Sequence, residues 1–170
     1  LLRTLSAPPR LAAHLRAVHD VAVRLSAWAA ERYPALAVDQ SAVAFGADTH
    51  DIGKVLFPAE LSGPGSRHEQ AGFELLVAHG VPIGPGRFAR THADWAGPDG
   101  TVEDVLVSLA DKVWKAKRVP DLEQLLVDRI VEAAAQPGWQ AFLDLDDELG
   151  RIADGADARL TYQNSYPVGV

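Results

Sequence analysis

The 170-residue chain contains no cysteine and no methionine. The first absence excludes disulfides, thiolate metal sites and cysteine nucleophiles, so any metal must be held by His, Asp or Glu. The second, which extends to the first position, suggests that the chain is trimmed or belongs to a longer product. Long apolar runs are also missing, and none approaches the length of a membrane span. Residues Leu1 to Leu5 lack a basic-then-apolar signal pattern, so export is not indicated and a cytoplasmic location is expected. Basic charge is in deficit: a net charge of −7 argues against broad binding to nucleic acid or to an anionic membrane. What remains, 48% hydrophobic and 23% charged, is the composition of a globular domain.

Helix signals dominate. Pro8 and Pro9 suit a first helical turn, and Leu11, Leu15, Val18, Ala22, Leu25 and Ala29 recur at steps of four and three until Pro34 ends the run. A second helix is predicted from Asp39 or Ser41 into the pair His50-Asp51, with Gly53 near its end. A Gly/Pro-rich loop fills 57–66. Ser66 and Glu69 have capping-box spacing, which predicts a third helix with His68 in its first turn and its end at Gly80. The punctuated stretch VPIGPGRFARTHADWAGPDG leaves room for one short helix carrying His92. Thr101 and Asp104 open a helix predicted to run through Asp111 and Arg118 to Pro120. A further helix covers DLEQLLVDRIVEAAAQ, and a weaker one, interrupted by Gly150 and Gly155, runs from Trp139 to Leu160, ahead of a tail after Tyr162. Runs that alternate with period two are few. The expected fold is all-α, one domain over 1–170 with six or seven helices.

The six histidines fall in different elements. His14 and His19 flank the apolar stripe of the first helix on opposite sides, and periodicity does not choose between them. His79, before Gly80, suits a helix C-terminus, where the dipole favours an imidazolium. His68 sits in a first turn, where a cationic imidazole is disfavoured and a neutral, ligating or hydrogen-bonded one fits better. His50 and Asp51 are consecutive, so on a helix they point about 100° apart and share a surface only around something small, such as a metal ion. Asp111, Lys115 and Arg118, at i, i+4 and i+7, share one face of a continuous helix and combine a carboxylate with two cations.

In order, VHDVAVRLSAWA, ADTHDIGKV, SRHEQAGFELL, RTHADW and SLADKVWKAKR resemble the HD superfamily of metal-dependent phosphohydrolases. The resemblance covers residues 15 to 120, with C-terminal helices in 121–161. It implies that His19, His50, Asp51 and Asp111 bind one divalent metal, and that His68 and His92 bind a second, with Asp51 bridging. In the family the first His is followed four residues later by a small apolar residue, a rule that His19 with Val23 and His14 with Val18 both fit, and the resemblance favours His19 as the nearer to the His-Asp pair. It implies catalytic roles for Asp51 and Lys54, and phosphate contacts from Lys54, Lys115 and Arg118, with Lys117 at the family's more usual position. Glu69 is a candidate outer partner or proton carrier, and Trp95 and Trp114 are either packing or base-stacking residues. Mn, Fe, Co, Ni, Zn and Mg are not distinguished by these ligands. The implied substrate is a small phosphorylated compound such as a nucleotide, with no nucleic acid and no membrane partner. No GYP motif points to cyclic dinucleotides. The same scaffold also serves di-iron oxygenases and non-catalytic regulatory domains, and the full ligand set favours catalysis over the latter.

Overall fold

A computed structural model describes residues 1–95, 97 and 100–169. The Gly-Pro punctuation ahead of Thr101 runs through Ala96, Pro98 and Asp99, which lie outside the described residues, as does Val170. The described residues form helices and turns and no strand, as the missing period-two patterns require.

Helix α1 spans Pro9–Arg32, and every member of the predicted stripe, from Leu11 to Ala29, is buried. Helix α2, Gln40–Thr49, starts where Asp39 Oδ1 accepts from the Ala42 amide at 3.0 Å, and it lies along α1. A 3-10 turn, Ile52–Val55, follows His50 and Asp51. Helix α3, Arg67–Ala78, packs against that turn. The contact demands glycine at 53: a Cβ there would lie 2.0 Å from the His68 carbonyl oxygen and 2.7 Å from the Gly72 nitrogen. Gly53 therefore brings His68 up against the His50-Asp51 segment, rather than merely ending a helix.

Two one-turn helices, α4 (Ile83–Gly86) and α5 (Phe88–Thr91), replace the single short helix expected. Helix α6, Val102–Val113, begins with the predicted capping box of Thr101 and Asp104. It stops well before Pro120: Ala116 takes a left-handed φ of 59°. Helix α7 covers Pro120–Ala134. The predicted C-terminal helix is two, α8 (Gly138–Ala153) and α9 (Ala156–Asn164), broken at Gly155. Beyond Tyr162 the chain is docked, since Arg10 donates from Nε to the Tyr166 carbonyl at 2.9 Å and from Nη2 to the Asn164 carbonyl at 3.2 Å.

The main core gathers residues of α1, α2, α6, α7 and α8 with Phe88 of α5. A smaller cluster of Ile52, Leu76 and Ala89 joins the 3-10 turn to α3 and α5. No helix among the described residues is long and apolar enough to cross a membrane.

Candidate metal centre

Five elements bring six side chains together. From α1 comes His14, from the end of α2 His50 and Asp51, from α3 His68, from the end of α5 His92 and from α6 Asp111. One ligand-type atom each from His14, His50, Asp51 and Asp111 lies within 4.8 Å of the others, and the same holds for Asp51, His68 and His92. All six are buried, His50 completely and Asp51 to 2% exposure.

The imidazoles are oriented by their outer nitrogens. Nδ1 of His14 donates to Gln163 Oε1 at 3.0 Å, that of His50 to the Ala47 carbonyl at 2.9 Å and that of His68 to Glu60 Oε2 at 2.6 Å. Nδ1 of His92 faces the Ala89 carbonyl at 3.1 Å. In the neutral ring with its proton on Nδ1, each Nε2 would present a lone pair inward. The Nε2 atoms of His14, His50 and His68 are buried without a hydrogen-bond partner, an arrangement that costs free energy unless something else is bound there.

The two oxygens of Asp51 face different groups. Oδ2 lies 3.0 Å from His14 Nε2 and 3.6 Å from His50 Nε2, whereas Oδ1 lies 3.0 Å from His68 Nε2 and 3.5 Å from His92 Nε2. Asp111 Oδ1 joins the first group, 3.4 Å from His50 Nε2 and 3.7 Å from His14 Nε2. Nitrogen and oxygen donors in this number suit a divalent first-row ion, and the inward lone pairs fit one.

Charge is balanced among the members. Burial pushes the Asp51 carboxyl up, but His50, His14 and His68 together hold it well below the usual carboxylate range. Asp111 is likewise raised by burial and drawn down further by His50 and Lys112, with a net fall. Burial would lower His50 and His68, yet Asp51 beside both, Asp111 beside His50 and Glu60 beside His68 raise them. His92 is pushed down to about 4, by burial first and then by His50, and is neutral at physiological pH. Without a cation, therefore, the carboxylates favour the protonated forms of His50 and His68.

Three expectations are corrected. His14, and not His19, belongs to the cluster. Five positions separate the two on α1, about 140° around the helix, so they cannot face the same point. His19 is turned outward with its side chain 27% exposed, 3.0 Å from Asp48 Oδ1. The deciding signal lay in the neighbours: Ala17 and Val21 widen the buried stripe on the His14 side, whereas exposed Arg16 and Val23 lie on the His19 side. Arg118 is also elsewhere, donating to both oxygens of Glu123 at 2.9 and 2.7 Å and to Asp146 at 2.7 Å. The reversal at Ala116 breaks the shared face that a continuous helix would have kept. Finally, the Ser66 side chain makes no cap bond. Glu60 does that work, accepting from the His68 amide at 3.2 Å as well as from its ring. The carboxylate reaches in because residue 65 is glycine, where a Cβ would lie 2.4 Å from Glu60.

A pocket of about 440 Å³ opens beside the cluster, lined by His14, Lys54, Lys115, Arg10 and Gln163, with the 62–64 loop at its rim. Lys54 Nζ donates to Asp51 Oδ2 at 2.5 Å, and Lys115 Nζ lies 5.7 Å from the centre of the Trp114 ring. Trp114 is buried edge-on to His14 and also lines this pocket, and Trp95 packs against the main core. Sequence reasoning missed Glu60, Gln163 and Arg10, all of which reach the site from outside the recognised segments. His79, as expected, is exposed at a helix end, facing the Leu75 carbonyl.

No protein-family model, curated protein or solved structure matches the chain. A helical chain with a buried His/Asp cluster that could hold a metal ion is compatible with an HD domain.

Proposed function

We propose that this chain is a metal-dependent phosphohydrolase that cleaves a phosphomonoester or phosphoanhydride of a small substrate, a nucleotide in the first instance. The observation that carries the reading is the convergence of buried, unpartnered imidazole Nε2 atoms on two carboxylates, beside a pocket lined with cations. His14, His50, Asp51 and Asp111 would hold one ion, and Asp51, His68 and His92 a second. Such ions lower the pKa of water towards neutrality and neutralise phosphoryl oxygens.

The chain's own groups supply the rest. Asp51 shares its two oxygens between the two ligand groups. Lys54 is anchored on Asp51 at the pocket wall, where its ammonium meets charge developing on a phosphoryl group. Lys115 and Arg10 add positive charge to the same pocket and favour an anionic substrate.

Phosphate release from a panel of nucleoside mono-, di- and triphosphates, with manganese, cobalt or iron(II), tests the proposal against an Asp51→Asn control. Metal-dependent release that the control loses is expected. A metal-loaded, folded protein that releases no phosphate from any panel member would refute the nucleotide reading.

A further inference from the structure

Helix α9 is attached to the domain in an unusual way. Of its residues only Ala156 is fully buried, with Leu160 partly buried against the main core, so its apolar attachment is small. Polar ties supplement it. Arg159 donates from Nε to the Trp114 carbonyl at 2.7 Å and from Nη2 to the Ile152 carbonyl at 2.5 Å. Arg10 ties down the far end through the Asn164 and Tyr166 carbonyls. Between these anchors, Gln163 reaches back across 149 positions of sequence to His14 Nδ1.

That bond decides what His14 can do. An acceptor at Nδ1 keeps the proton there and leaves Nε2 bare towards Asp51 and Asp111; without it the ring is free to take the other tautomer and turn a proton inward. Each of the other three cluster histidines has its Nδ1 fixed within its own helix or by the adjoining loop. His14 alone among them depends on a distant helix. We propose that Gln163 is the positioning residue for His14 as a metal ligand, and that metal binding and the docking of α9 are thereby coupled. The inference rests on the metal-centre reading above. It adds a consequence of linkage: what favours the ordered His14 tautomer favours docked α9, and the reverse holds with the same free energy.

The test is manganese binding to the whole chain, by equilibrium titration, for the native protein, Gln163→Leu and Gln163→Glu. Leucine has similar bulk and no acceptor, whereas glutamate accepts as the amide oxygen does. Gln163→Leu should weaken the ion on the His14 side by roughly 10–100-fold, the usual effect of losing an outer partner of a ligand histidine. The ion on the His68 side should be retained, and Gln163→Glu should bind at least as tightly as the native protein. Amide exchange across 156–164 should slow on adding manganese to the native protein and not to Gln163→Leu. Equal affinities in all three proteins, or equal losses in the two variants, would overturn the assignment while leaving the metal centre standing. Failure of the native protein to bind manganese at all would overturn both.

Discussion

The two halves of the cluster are built differently. The side formed by His14, His50 and Asp111 stands on α1, α2 and α6, whose apolar faces contribute to the main core. The side formed by His68 and His92 stands on α3 and the one-turn α5, around the small cluster of Ile52, Leu76 and Ala89. The first has two carboxylates, Asp51 and Asp111, with an amide behind His14; the second has the shared Asp51 alone, with the Glu60 carboxylate behind His68. A site with two anionic ligands holds a cation more firmly than one with a single shared anion. The difference predicts an order of filling, the His14 side first.

The largest expected effect separates the two histidines of α1. His14→Ala should lower both the affinity for the ion on the His14 side and the turnover by more than the roughly 10–100-fold typical of outer partners, because it removes a ligand itself. His19→Ala should remain near native, since it removes only a half-exposed pair with Asp48. Metal analysis and phosphate release check both, and the reverse result would place the site on the other face of α1.

Next in size is the loss of the weaker half alone. His92→Ala should lower manganese stoichiometry from two to one per chain and keep the ion on the His14 side. Loss of both ions together would mean that the halves do not fill independently.

The fold was legible where periodicity and caps were strong. The stripe of α1 and the Thr101-Asp104 cap of α6 could be read directly, because both are local signals of helix geometry. The break after Val113 could not, since nothing before Ala116 marks a left-handed residue, and Lys115 and Arg118 were assigned one face as a result. In the candidate site, His50, Asp51, His68, His92 and Asp111 were named from their segments and do come together. His14 required weighing the width of a buried stripe, and Gln163, bonded to His14, and Glu60, bonded to His68, join the site by contacts that leave no local pattern.

pH provides a third contrast, between the ion-free and ion-loaded protein. In the ion-free fold the His50 and His68 pKa values are raised, so their imidazoliums contribute stability that is fully present below the unfolded value of about 6.5 and is lost as pH rises through the folded values. Metal binding requires the neutral rings, so it releases protons and strengthens over that same rise. Thermal melts at about pH 6 and about pH 8, with and without manganese, should show stabilisation by the ion growing with pH. Equal stabilisation at both would argue against imidazole ligation.

The smallest effects distinguish the two cations once assigned one face. Lys115→Ala should raise KM with little change in stability, because the side chain lines the pocket. Arg118→Ala should leave the kinetics alone and cost about 1 kcal/mol of stability, measured by denaturant titration, through the loss of its contacts with Glu123 and Asp146.

The most direct measurement is anomalous diffraction from crystals of the chain equilibrated with manganese. Two peaks are predicted, one among His14, His50, Asp111 and Asp51 Oδ2, and a second among Asp51 Oδ1, His68 and His92. No peak within the cluster, or a peak at His19 and Asp48 instead, would contradict the metal centre on which the proposed activity depends.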